Sequence, residues 1–261
     1  MAVSAGTLPA AGQVNKGFLS ASALKIIAII AMTIDHLGWM FVPTESKAGW
    51  IMHFIGRLTF PLMCYFITEG YHHTRDLRKY FLRLAAFALL SHFPFVWFEK
   101  AASGGGDIGK TSVIASLLMS LTAVHILNLE RISVALKLPL LLLLSALGEY
   151  CDWGTSCVYM AIVFELARKS GRKYQAGAYF LAAAYYLIPF ARQLLQNYTY
   201  YRFYSYKLGV FIPVLLILCY SGKLGGSSSP AVKKVSKYAF YIYYPLHLLI
   251  ITWFGAHYGG Q

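Results

Sequence analysis

Residues 24–38 read L-K-I-I-A-I-I-A-M-T-I-D-H-L-G, from Leu24 to Gly38. The run is apolar enough to enter a bilayer, yet it carries Lys25 near its start and the adjacent pair Asp35 and His36 near its end. Ionisable side chains in a membrane helix are costly and are retained for a function. Lys25 and His36 are eleven residues apart, and eleven steps of about 100° return almost to the starting direction. The two therefore share a face, about 16 Å apart along the axis. A cation at one membrane surface then lies beneath an imidazole near the midplane. Asp35 points about 100° away and need not pair with its neighbour.

The rest of the chain fits this reading. It is 58% hydrophobic and only 13% charged, below the roughly 25% charged of a soluble domain. Mean hydropathy is positive. The composition implies an all-α, polytopic membrane bundle. The formal net charge of +13 reads as loop bias, since no soluble stretch is long enough to fold as a basic nucleic-acid-binding domain. No Cys/His spacing fits a zinc site, so no metal is expected. Cys151 and Cys157 flank D-W-G-T-S near a helix junction and are candidates for an extracytoplasmic disulfide. Residues 1–22 lack the pattern of a signal peptide and read as a mobile cytoplasmic tail. Residues 23–256 read as one transmembrane domain, and 257–261 as a short extracytoplasmic tail.

About nine apolar segments follow, with eight or ten as alternatives. They lie near 23–42, 49–70, 80–98, 112–129, 133–147, 156–167, 174–190, 207–220 and 238–254. A Gly/Ser linker separates the last two. Alternate loops should be basic on the cytoplasmic side. One set of loops holds Arg75, Arg78, Lys79; Arg131, Lys137; Arg168, Lys169, Arg172, Lys173; and Lys223, Lys233, Lys234, Lys237. The other holds Lys47, Lys100, Lys110, Arg192, Arg202 and Lys207, diluted by Glu45, Glu99, Asp107, Glu149 and Asp152. The N-terminus is thus expected inside and the C-terminus outside, in a bacterial inner membrane.

Depths counted from the helix ends put Asp35, His36, Arg57, His92 and His247 in one layer, at roughly 12–18 Å from the surface. His53 lies one turn from Arg57 on the same face. Asp152 lies near the outer surface. Each residue also has a structural reading. Asp35 and Arg57 can be a buried ion pair that locks two helices. His92, before Phe93-Pro94, and His247, after Pro245, can satisfy backbone groups freed by proline. His36 is the least easily explained that way, and it fits a general base taking a proton from an amine or hydroxyl that attacks an activated carbonyl. A nearby carboxylate such as Asp35 would orient the imidazole, and Arg57 would stabilise an oxyanion. Lys25, Arg83, Arg75, Arg78 and Lys79 at the cytoplasmic mouth suit the phosphates of a long, thin donor shaped like coenzyme A. The competing readings are a proton-coupled secondary transporter, although the D-H element has no echo in the second half, and a structural factor in pilus or envelope assembly.

The quoted stretch, G-R-L-T-F-P-L-M-C-Y-F-I-T-E-G-Y-H-H-T-R (56–75), R-L-A-A-F-A-L-L-S-H-F-P-F (83–95), C-D-W-G (151–154) and F-Y-I-Y-Y-P-L-H-L-L-I (240–250) together resemble the TraX family. That family includes conjugative pilin acetylases. The Lys25-x10-His36 spacing also resembles the Arg/Lys-x10-His motif of membrane acyltransferases. The resemblance implies acetyl-CoA as donor and His36 as the catalytic histidine, with Asp35, Arg57, Asp152 and His247 in matching motifs. It implies an extracytoplasmic acceptor, a processed pilin N-terminus or a cell-surface glycan.

Overall fold

The computed structural model describes residues 17–106, 109–225 and 230–258, and the side chains of 230–237 and of Tyr258 are outside it. Most of the expected cytoplasmic tail, part of the Gly/Ser linker, the end of the C-terminal tail and the side chains of Lys233, Lys234 and Lys237 therefore lie outside the described residues. Among the described residues the chain is helical, with two isolated bridges, Leu19 to Tyr220 and Thr111 to Cys151.

Helix α1 spans Ala21–Phe41 and opens on Ser20, whose hydroxyl accepts the Ala23 N–H. Residues 17–22 are expected in the tail, but they pair with residues 219–224, the end of the preceding apolar segment and the start of the linker. Leu19 N–H donates to the Cys219 carbonyl at 3.0 Å, and Ala21 N–H to Lys223 at 2.9 Å. Helices α2 (Lys47–Gly56) and α3 (Thr59–His73) form one span broken at Arg57 and Leu58. Pro61 has no N–H for the Arg57 carbonyl, which explains a break at this position. Helix α4 is Leu77–Ala102. Four shorter helices follow: α5 (Val113–Asn128), α6 (Val134–Gly148), α7 (Ser156–Ala167) and α8 (Arg172–Tyr186). After them come α9 (Ile188–Gln196), α10 (Tyr198–Tyr201), a 3-10 segment (Arg202–Phe211), α11 (Ile212–Cys219) and the long α12 (Pro230–Tyr258).

Among the described residues, five helical stretches are long and apolar enough to cross a membrane: Ala21–Phe41, Lys47–His73, Leu77–Ala102, Tyr198–Cys219 and Tyr238–His257. Helix α3 is central, with every residue from Thr59 to Thr68 buried. On α1, Leu24, Ala28, Ala31 and Met32 face inward while Ile26 and Ile30 are exposed. On α4, Leu84 and Phe98 are buried while Leu89, Leu90 and Phe93 face out. An apolar outer surface is what lipid requires, because no hydrophobic penalty attaches to it there.

The short helices α6 and α7 are joined by a loop that turns inward. Thr111, just before α5, holds it from both sides: its N–H donates to the Tyr150 carbonyl at 2.8 Å, and its carbonyl accepts the Asp152 N–H at 2.9 Å. Trp153 N–H donates to the Ser116 hydroxyl at 3.3 Å. Gly154 turns the chain at φ +55°, a region that glycine adopts without strain. The loop carries no disulfide. Cys151 and Cys157 are both buried free thiols, and Cys157 packs toward Gly148, its Sγ 3.2 Å from where a Cβ on that glycine would lie.

Candidate functional site

Asp35 and His36 are neighbours on α1 that serve different helices. Asp35 faces α2. One carboxylate oxygen accepts from His53 Nδ1 at 2.7 Å, and the other from Arg57 Nη2 at 2.8 Å. This contact depends on Gly56, because a Cβ there would fall 2.2 Å from the Asp35 carboxyl carbon. His53 is fully buried and packs on Trp39, with ring centroids 4.1 Å apart. The guanidinium of Arg57 also sits over the rings of Trp153, at 5.5 Å, and Tyr206, at 5.6 Å. Its second anchor is therefore aromatic.

His36 turns toward α4 and α12. Its ring meets Phe98 edge-on at 5.0 Å. Its Nδ1 lies 3.1 Å from Nε2 of His247, whose own Nδ1 lies 2.9 Å from the Tyr243 carbonyl. A carbonyl only accepts, so Nδ1 of His247 carries hydrogen and Nε2 of the neutral ring accepts. His36 must then donate from Nδ1, which leaves its Nε2 with the lone pair. The expected orienting carboxylate is absent from this contact: Asp35 is committed to His53 and Arg57, and His247 takes its place. Tyr243 stacks on His247 at 4.9 Å and bonds Thr33 of α1 at 2.5 Å, which fixes α12 against α1.

His36 opens on a cavity of about 60 Å³ that is also lined by Asp35, Arg57, Glu99, Asp152 and Trp153. A larger chamber of about 520 Å³ adjoins it, with Arg57, Asp152 and Trp153 lining both. Trp153 stacks between Phe60, at 4.6 Å, and Tyr186, at 5.7 Å. It forms a fixed wall at the junction. The larger chamber runs out past Lys110, Glu149, Tyr159, Tyr185, Arg192 and Lys207. It exists because the inward loop between α6 and α7 leaves these helices short on this side.

The structure thus brings together Asp35, His36, Arg57, His53, His247 and Asp152. It does not bring in His92, whose Nδ1 bonds the Thr111 hydroxyl at 3.0 Å. His92 ties α4 to the segment that holds the inward loop, and it lines neither cavity. The basic residues lie at the other end. Lys25 is exposed with its ammonium 5.2 Å from the Phe66 ring centre. Arg83 sits over Tyr80, at 5.1 Å, and Tyr241, at 5.5 Å. Arg75 and Arg78 are exposed. Lys79 is engaged by Asp76 at 3.0 Å, and the Lys79 backbone N–H holds the Asp76 carboxyl below its ordinary range. None of these five basic residues lines either cavity. Along α1, Ala28, Ala31 and Met32 are buried between Lys25 and His36.

Glu99, Trp39 and Trp153 went unrecognised in the sequence as cavity residues. Glu99 follows Phe95 by one helical turn, and both line the smaller cavity, so helical phase from Phe95 was the available signal. The Glu99 carboxylate makes no hydrogen bond or ion pair among the described residues, while its backbone carbonyl accepts the Ser103 N–H at 2.8 Å. No group of three or more metal-ligating side chains converges among them.

Long apolar helices wrapped around a buried polar layer and an internal cavity define an integral membrane protein with a candidate reactive histidine inside. The chain belongs to the TraX family, described as "TraX protein", which matches residues 20–254. It is similar to the probable fimbrial assembly protein FimC, serogroup H1, of Dichelobacter nodosus. The two are 34% identical over 237 residues, which cover 89% of this chain and 94% of the relative. No solved structure matches the chain.

Proposed function

We propose that this TraX-family protein is a transmembrane acetyltransferase. It takes an acetyl group from cytoplasmic acetyl-CoA and delivers it to an extracytoplasmic amine or hydroxyl, such as a pilin N-terminus. The observation that carries this reading is His36 itself: its Nδ1 is anchored on His247, and it lines the same cavity as Arg57. In the proposed step the acceptor nitrogen or oxygen attacks the thioester carbonyl carbon, and His36 Nε2 takes the proton it loses. Arg57 stabilises the oxyanion. The C–S bond then breaks, and the coenzyme A thiolate leaves with the proton returned by His36. Asp35 keeps Arg57 in place throughout.

The reading carries the nine-segment topology with it, with the N-terminus inside and the C-terminus outside a bacterial inner membrane. Lys25 and Arg83 then face the cytoplasm and receive the donor phosphates. The larger chamber faces outward and receives the acceptor. The donor's thin end must pass the packed residues between Lys25 and His36, so donor entry requires α1 and its neighbours to part. The relative's name supports a second reading, an assembly factor whose buried layer only holds helices together. Incubation of envelope fractions with acetyl-labelled coenzyme A separates the two. Label on an envelope component, dependent on this chain and lost in His36→Ala, supports the transferase. A chain that sustains pilus assembly with no label transferred supports the assembly factor.

A further inference from the structure

The charge of the larger chamber selects its ligand. Its walls carry Arg57, Lys110, Arg192 and Lys207 against Glu149 and Asp152. Arg57 is neutralised by Asp35. Glu149 accepts the Thr155 N–H at 3.1 Å, and it and Asp152 remain on the wall as carboxylates, so Lys110, Arg192 and Lys207 outnumber them by one. Lys110, Arg192 and Lys207 have no ion pair among the described residues. Lys207 is the most telling of the three. It is half-buried, with its ammonium 5.8 Å from the ring centres of both Phe190 and Tyr204. Its segment cannot draw back, because Gly209 presses on the backbone of α2, where a Cβ would fall 2.0 Å from the Phe54 carbonyl oxygen. A cation fixed in a partly desolvated wall without a carboxylate is costly to maintain unless an anion arrives from outside.

The three cations come from separate segments: the stretch before α5, helix α9 and the 3-10 segment. They converge on one chamber that leads to His36 past Arg57 and Asp152. We infer that this chamber is a binding site for an acidic polypeptide acceptor, held through a side-chain carboxylate by Lys110, Arg192 and Lys207 while its amino terminus reaches toward His36. The inference rests on the proposed transferase reading for what happens at His36, but the binding step stands apart from it. A polypeptide is chosen because the similar protein is named for the assembly of fimbriae, which are built of protein subunits.

The test uses two synthetic peptides of equal length with free amino termini. One carries aspartates at its second to fourth positions and the other carries lysines there. Each bears a fluorophore at its carboxyl end. Binding to the purified full chain in lipid nanodiscs is read by anisotropy without any donor, and acetylation is then read by mass spectrometry after acetyl-CoA is added. The acidic peptide should bind at least about tenfold more tightly, the factor that one charge-assisted contact supplies. Arg192→Glu lies on an exposed residue and should fold normally. It should reduce that preference, and Arg192→Glu combined with Lys207→Gln should abolish it. Equal binding of the two peptides overturns the inference, as does a preference that survives the double variant. Binding of a phosphorylated glycan in place of either peptide overturns it too. Charge-selective binding without acetylation leaves the inference standing and strikes the transferase reading instead.

Discussion

Gly56→Ala tests the polar layer without any knowledge of the substrate. The added Cβ would lie 2.2 Å from the Asp35 carboxyl carbon, 2.4 Å from its Cβ and 2.5 Å from one carboxylate oxygen. Ordinary contact begins near 3.4 Å, so the Asp35 side chain and the α1 backbone behind it must retreat by about 1.2 Å, which a close-packed interior resists. Such a shift stretches the 2.7 Å bond to His53 and the 2.8 Å bond to Arg57 beyond hydrogen-bonding range. Each is a charge-assisted bond worth about 1.5–3 kcal/mol. Asp35 is 11% exposed and can recover part of the loss from water in the cavity, so the low end of the sum, about 3 kcal/mol, is the expected cost. That corresponds to a fall in midpoint of about 6–12 °C. The assay is the monodisperse fraction that survives heating in detergent, followed by size-exclusion chromatography. Asp35→Gly removes every atom that the new methyl would strike. The Asp35→Gly, Gly56→Ala double variant should therefore be no less stable than Asp35→Gly alone. A Gly56→Ala protein that melts with the native chain would refute the argument, and so would a double variant that loses the sum of the two single effects.

Other outcomes follow from the same geometry. His36→Ala should keep the melting temperature and donor affinity while acetyl transfer falls by about two to four orders of magnitude. In the native protein, transfer should rise with pH as His36 loses its proton, since only the neutral ring can accept one, and a flat profile would remove it as the base. Arg57→Ala strands Asp35 without its cation, so it should destabilise by about 3–5 kcal/mol as well as inactivate. Full stability in that variant would make Arg57 a residue of the reaction alone. Lys25→Ala and Arg83→Ala should raise the KM for acetyl-CoA more than they lower kcat, and unchanged donor kinetics in both would take them out of the donor site. Single cysteines placed within Arg75–Lys79 or Arg168–Lys173 should resist membrane-impermeant reagents on intact cells, and labelling from outside would reverse the proposed orientation.

The sequence alone determined the helical class, the approximate position of each apolar segment and the family. These properties are local. Apolar runs, prolines and glycines act within a few residues, and the bounds expected for the sixth segment, 156–167, coincide with α7. It also marked Asp35 and Arg57 as partners, because a charge in a membrane helix needs one and few are available. What orients His36 was decided by tertiary structure. His247 lies 211 residues away, and helical phase on α1 says nothing about which face α12 presents. His92 shows the same limit from the other side: depth along one helix put it in the layer, but rotation about the axis turned it to Thr111. Glu99 entered the cavity for the opposite reason. It was counted as a loop charge, and α4 extends to Ala102, which carries it inward on the face of Phe95. The cysteines near 151 and 157 stayed free because the loop between α6 and α7 turns inward, held by Thr111 and Ser116. Those bonds join segments distant in sequence, and no local pattern encodes them. Height along a helix is fixed by residue number, whereas rotation and pairing are fixed by how the helices pack.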